Sequence, residues 1–166
     1  MIEEIRGRVL RIGDDIDTDQ IYPARYIELT EEREMARHAL EGLDTELPAK
    51  LANYTILVAG KNLGCGSSRE HAARSLLAAG IRALVAESFA RIFFRNAINL
   101  GLPAIQLPST VGINTGDLVA IRLMEGILIN EKKEVQVAFR AFSQPIVHIL
   151  KAGGLVGYYK KARGAD

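Results

Sequence analysis

Thr55-Ile56-Leu57-Val58-Ala59-Gly60-Lys61-Asn62-Leu63-Gly64-Cys65-Gly66-Ser67-Ser68-Arg69-Glu70-His71 is the stretch that decides the fold. Thr55 to Ala59 is an almost wholly apolar run of strand length, the pattern of a strand buried on both faces. A loop follows from Gly60 to Gly66, and then a helical stretch from Arg69 to Ala79 that Gly80 stops. The next segments repeat this order. Ala83 to Ala86 reads as a second buried strand and Phe89 to Leu100 as a helix stopped by Gly101 and Pro103. Ala104 to Leu107 reads as a third strand. Strand–helix alternation of this kind implies parallel pairing with right-handed crossovers.

The flanks have a different texture. Val9 to Ile12 reads as a short strand running into an acidic loop, Gly13 to Asp19, and Glu31 to Glu41 has the composition of a helix that Gly42 would end. After Pro108 come three short strands, Leu118 to Leu123, Ile127 to Ile129 and Val135 to Phe139, with turns at Gly126 and at Glu131-Lys132-Lys133. Pro145 to Lys151 reads as a last helix, ended by Gly153-Gly154. These flanking strands are expected to pair antiparallel. The expectation is an α/β fold with a mixed parallel and antiparallel sheet, in one domain spanning 1–166, since there is no internal repeat or long linker.

The 166 residues suffice to bury a core. A formal net charge of +1 gives no reason to expect nucleic acid or an anionic membrane as partner. No apolar run approaches the roughly 20 residues of a membrane helix, and Met1-Ile2-Glu3-Glu4 does not open like a signal peptide. The chain has one cysteine, Cys65, which cannot form an internal disulfide and agrees with a reducing, cytoplasmic setting.

The turn after the buried strand carries the chemistry, because open α/β sheets place ligands at the carboxyl ends of their strands. Gly64 and Gly66 permit positive φ angles or close approach to a ligand. Ser67 or Ser68 is expected at the helix N-terminus, where free N–H groups favour an anion, and Arg69 adds a planar fork suited to a carboxylate. Ser67 and Glu70 also have the spacing of a capping box, a purely structural role that leaves the serine compatible with chemistry. His71 reads as a packed helix residue, without a second histidine at metal-ligand spacing. Gly64-x-Gly66-x-x-Arg69 lacks the third glycine of a dinucleotide fingerprint, and Gly64-Cys65-Gly66-Ser67-Ser68 is not a hydrolase elbow. A helix N-terminus would lower the pKa of Cys65, but no base accompanies it, and it reads as a lining residue.

The second dense segment is Asp14-Asp15-Ile16-Asp17-Thr18-Asp19-Gln20-Ile21-Tyr22-Pro23-Ala24-Arg25-Tyr26. As a calcium loop it fails, with Gln20 at the glycine position and Tyr26 at the glutamate position. Taken with Gly60-Lys61-Asn62-Leu63-Gly64-Cys65-Gly66-Ser67-Ser68-Arg69-Glu70-His71 and with Ala86-Glu87-Ser88-Phe89-Ala90-Arg91-Ile92-Phe93-Phe94-Arg95-Asn96, it resembles the small-subunit branch of the aconitase superfamily. The resemblance runs from about Val9 to Tyr159.

That resemblance implies a swivelling β/β/α domain that closes over a 4Fe–4S cluster held by a separate large iron–sulfur subunit, with no metal bound by this chain. It implies Ser67 as the general base and Asp19 as an active-site acid, with Ser68 and Arg69 at the substrate. Dehydration of a 2-hydroxy acid fits these parts. A serine alkoxide is a strong enough base to take a proton beside a carboxylate, and a metal Lewis acid assists departure of hydroxide. The implied activity is a hydro-lyase on isopropylmalate, in leucine biosynthesis. Homoaconitate or another malate analogue is the alternative substrate, and a non-catalytic anion-binding module is the alternative of a different class. In homoaconitase-like members an arginine stands just after the Pro-Ala-Arg-Tyr stretch. Here Glu28 stands there, between Ile27 and Leu29, so a tricarboxylate is disfavoured and a branched alkyl group is expected against the apolar pair.

Overall fold

The computed structural model describes residues 3–164; the outermost residues of the single-domain expectation, Met1 and Ile2 included, lie outside them. Seven strands form one mixed sheet: β1 Glu4–Arg11, β2 Ile56–Val58, β3 Ala83–Ala86, β4 Ala104–Gln106, β5 Leu118–Arg122, β6 Ile127–Asn130 and β7 Val135–Ala138. Their order is β4-β3-β2-β1-β5-β6-β7. Pairing is parallel from β1 through β4 and antiparallel from β1 through β7. The strand β1 therefore joins the two halves, with β2 on one side and β5 on the other.

The helices are α1 Thr18–Ile21, α2 Glu32–Ala36, α3 Leu47–Lys50, α4 His71–Ala78, α5 Arg91–Asn99, α6 Gln144–Lys151 and α7 Leu155–Ala162. The period-2 alternation of the parallel strands sends side chains into two cores. Leu10, Leu57 and Leu84 pack under the helices with Leu76, Phe93 and Ala97. Val9, Ile56, Val58 and Val85 pack with Val119, Ile121 and Leu128 of the antiparallel half. Burial on both faces is why β2 and β3 read as continuous apolar runs.

The structure departs from the sequence expectations in four places. β1 begins at Glu4, because its first half alternates exposed charge with buried Ile5 and pairs along β5. The helix expected over 31–41 ends at Ala36. Leu40 takes φ +63° and gives its N–H to the Ile21 carbonyl at 2.6 Å, which binds the following turn to α1. Ser67 and Glu70 form no capping box: α4 starts at His71, Glu70 at its N-cap makes no side-chain cap, and its carboxylate pairs with Arg74. Beyond Gly153 and Gly154, both at positive φ, α7 adds a helix that the expectation lacked.

Just before β5, Asp117 is 1% exposed and accepts hydrogen bonds from the Asn114 N–H and the Asn130 amide, with Lys133 at 3.2 Å. Burial pushes its carboxyl upward, but those three donors outweigh it and hold the group below its ordinary value. A carboxyl depressed on folding contributes stability above its unfolded pKa and loses it as pH falls through the folded value. Asp117→Asn is therefore expected to shrink the drop in melting temperature between about pH 6 and about pH 3. An unchanged drop would remove Asp117 from the acid response. Among the described residues, no helix is long and apolar enough to cross a membrane.

Candidate active site

Two loops leave the carboxyl ends of neighbouring parallel strands, the acidic loop after β1 and the glycine-serine turn after β2. They run side by side as a ribbon. The Lys61 N–H donates to Asp14 Oδ1 at 2.7 Å, and the Asp15 N–H to the Lys61 carbonyl at 2.8 Å. The Gly64 N–H bonds the Ile16 carbonyl at 2.8 Å, and the Thr18 N–H bonds the Cys65 carbonyl at 2.8 Å. The Ser67 N–H then donates to Thr18 Oγ1 at 3.0 Å. So the two motifs that stand far apart in sequence form one surface.

Local chemistry explains each half. Asp17 is the N-cap of α1 and accepts from the Gln20 N–H at 2.8 Å, while Gln20 Oε1 accepts from the Asp17 N–H at 3.0 Å. A reciprocal box of this kind satisfies two free donors of a helix start. Gly64 at φ +87° carries the turn past the ring of Phe93, and Gly66 at φ +102° turns the chain into Ser67. The third parallel strand adds support: Ser88 Oγ accepts from the Asn62 N–H at 2.8 Å, and the Asn96 amide of α5 donates to the Ser68 carbonyl at 3.1 Å.

Ser67 Oγ is the focus. It accepts from Arg69 Nε at 2.9 Å and from the Arg69 N–H at 3.3 Å. A guanidinium and a backbone donor on one hydroxyl oxygen stabilise negative charge there. With Nε so used, the two terminal nitrogens of Arg69 carry no hydrogen bond among the described residues and remain free for a ligand. Ser68 is exposed.

A narrow cleft of about 10 Å³, roughly one water, is lined by Arg69, His71, Thr18, Tyr22, Ala24 and Ile27. Ile27 and Arg69 thus line the same cleft. Glu28 is exposed and makes no hydrogen bond among the described residues, whereas Leu29 packs against the core under the helices. Asp19 is exposed and accepts from the Ala24 N–H at 2.7 Å. It is outside the cleft lining, although its partner Ala24 is part of that lining, and it makes no hydrogen bond to Ser67.

Burial, and then the Asp17 carboxylate, push the Cys65 thiol up. That is the opposite of the lowering expected from a helix N-terminus, because α4 starts six residues later. Sequence reasoning did not single out Thr18, which is 6% exposed and joins the loops, or Tyr22, whose ring stacks on His71. The Asp17-x-x-Gln20 spacing was the available signal for where Thr18 sits.

Residues 4–110 match the family described as the aconitase C-terminal domain. The small subunit of 3-isopropylmalate dehydratase from Sulfurisphaera tokodaii is 52% identical over 158 residues, which cover 95% of this chain and 94% of that protein. The same subunit from Thermodesulfovibrio yellowstonii is 45% identical over 159 residues, 95% of each chain. A crystal structure of 3-isopropylmalate dehydratase from Methanocaldococcus jannaschii is similar at a TM-score of 0.91 and 42% identity, covering 96% of this chain and 95% of that one.

Proposed function

The chain belongs to the aconitase C-terminal domain family, and on that premise we propose that it works as the small subunit of a 3-isopropylmalate dehydratase. It is a hydro-lyase subunit of leucine biosynthesis, interconverting 2-isopropylmalate and 3-isopropylmalate by dehydration and rehydration. The observation that carries the catalytic assignment is the pair of Arg69 donors on Ser67 Oγ.

Ser67 is the general base. Removing a proton from the carbon beside a carboxylate needs a strong base, and an alkoxide forms only where its charge is met on formation. Arg69 meets it through Nε and its own N–H, and its terminal nitrogens grip the substrate carboxylate as a planar fork. Thr18 holds the backbone of Ser67, Ser68 offers its hydroxyl to the substrate, and Asp19 serves as the active-site acid. Ile27 faces the branched alkyl group. Glu28 repels the extra carboxylate of a tricarboxylate substrate. Leu29 supports that wall from the core side.

A 4Fe–4S cluster does not fit this chain. Such clusters are held by several cysteine thiolates, the sequence has one cysteine, and no group of three or more potential ligands stands together among the described residues. We assign the cluster to a large iron–sulfur subunit. The same division of labour fits the small cleft beside Arg69, and we assign the rest of the substrate site to the large subunit. A lone cysteine fits a cytoplasmic location.

The test is reconstitution. The isolated chain is expected to be colourless and inactive, and a large subunit carrying its cluster to restore interconversion of the two isopropylmalates. Turnover by the isolated chain, or clear preference of the pair for homoaconitate or cis-aconitate, would overturn the assignment.

A further inference from the structure

We propose that Glu41 is a positioning residue which, through Tyr26, sets the place of Ile27 in the cleft that Arg69 also lines, and thereby governs selection of the substrate's alkyl branch. Glu41 touches nothing in the cleft. Its carboxylate accepts from the Tyr26 hydroxyl at 2.7 Å and from Arg25 Nη2 at 2.8 Å, and it pairs with His38 Nδ1. The His38 ring lies flat on Tyr26, with centroids 3.6 Å apart and planes 15° from parallel, and the Arg25 guanidinium sits 4.8 Å from the same ring. Tyr26 is thus held at its hydroxyl and on its ring.

What Tyr26 holds is the cleft wall. Its carbonyl accepts from the Tyr22 hydroxyl at 2.8 Å and from the Leu29 N–H at 3.0 Å. The next residue, Ile27, gives its N–H to the Ala24 carbonyl at 3.2 Å and lines the cleft. Tyr22 in turn stacks on His71, centroids 6.1 Å apart, on the other wall two residues after Arg69. Glu41 is itself fixed, since Leu40 before it is bound to Ile21 and a Cβ at Gly42 after it would meet the Asp19 carbonyl. The donors of His38, Tyr26 and Arg25 hold its carboxyl below the ordinary range against the opposing effect of burial. A carboxylate anchored on both sides in the chain and bonded to three side chains fixes Tyr26, and with it the turn that places Ile27 in the cleft.

The inference rests on the function proposed above, and two measurements separate the two. In the reconstituted pair, Glu41→Gln is expected to raise the KM for 3-isopropylmalate about tenfold with kcat within about twofold. The KM for maleate, a dicarboxylate with no alkyl branch, should stay unchanged. Tyr26→Phe should act in the same direction, more weakly. In the isolated chain, amide hydrogen exchange at Ile27 and Leu29 should accelerate in both variants while Ile56 to Val58 stay protected. Equal KM rises for both substrates, no KM rise, or unaltered exchange at Ile27 and Leu29 would each overturn the role of Glu41. A wild-type pair inactive on isopropylmalate would overturn the function instead, and the exchange result would still decide the anchoring.

Discussion

Ser67→Ala is expected to lower turnover of the reconstituted pair by about a hundredfold or more, the range of a positioned general base. Folding and assembly should be intact. Ser67 is not the cap of α4, so its loss removes only the acceptor for two Arg69 donors, part-exposed groups that water can satisfy, at about 1 kcal/mol or less. The carboxylate grip of Arg69 survives, so KM should change little while kcat falls. The decisive measurement is steady-state kinetics beside a thermal melt. Retention of more than about a tenth of the wild-type rate, a loss below about 1.4 kcal/mol of transition-state stabilisation, would exclude Ser67 as the base.

Gly64→Ala is expected to destabilise the chain by about 2–5 kcal/mol, combining left-handed strain with overpacking. Gly64 sits at φ +87°, and an added Cβ would overlap Cγ and Cβ of Phe93. The Phe93 Cβ is fixed to the backbone of α5, so rotation of the ring cannot relieve the contact and the helix itself must shift. The same helix carries Asn96, which holds the Ser68 carbonyl. Activity should therefore fall together with stability, unlike the case of Ser67→Ala. A domain of this size loses about 2–4 °C of melting temperature per kcal/mol. A variant melting within about 2 °C of wild type would show that the turn has slack the geometry denies.

The parallel half of the fold was legible because β2 and β3 are buried on both faces, so Ile56 to Val58 and Ala83 to Ala86 are unbroken apolar runs of strand length set between loop and helix signals. The antiparallel half was legible from its turns. Local pattern failed where tertiary bonds override it. The helical composition of 31–41 stops at Ala36 because the left-handed Leu40 is bound to Ile21, a contact that no window of sequence contains. The charged start of β1 hid a strand whose exposed face needs no apolar residues.

At the site, residue types named candidate side chains, and spacing misassigned how they are held. Ser67 and Glu70 have a capping box's spacing, but Ser67 Oγ is taken by Arg69 and Glu70 by Arg74. The box that does form, Asp17 with Gln20, has an equally readable spacing and lies in the acidic loop. Thr18 could not be picked out as a connector from sequence, since its partner Ser67 lies 49 residues away and only the pairing of β1 with β2 brings the loops together.

A cleft with room for one water has a practical consequence for inhibitor discovery. A fragment screen against this chain by itself would meet only a small cleft at Arg69 and Ile27, beside larger grooves elsewhere on the surface that compete for hits. Compounds that exploit the Ser67–Arg69 corner must be sought on the assembled two-chain enzyme. Those reaching across from the partner face to the free guanidinium nitrogens should lose their binding when the chains are separated.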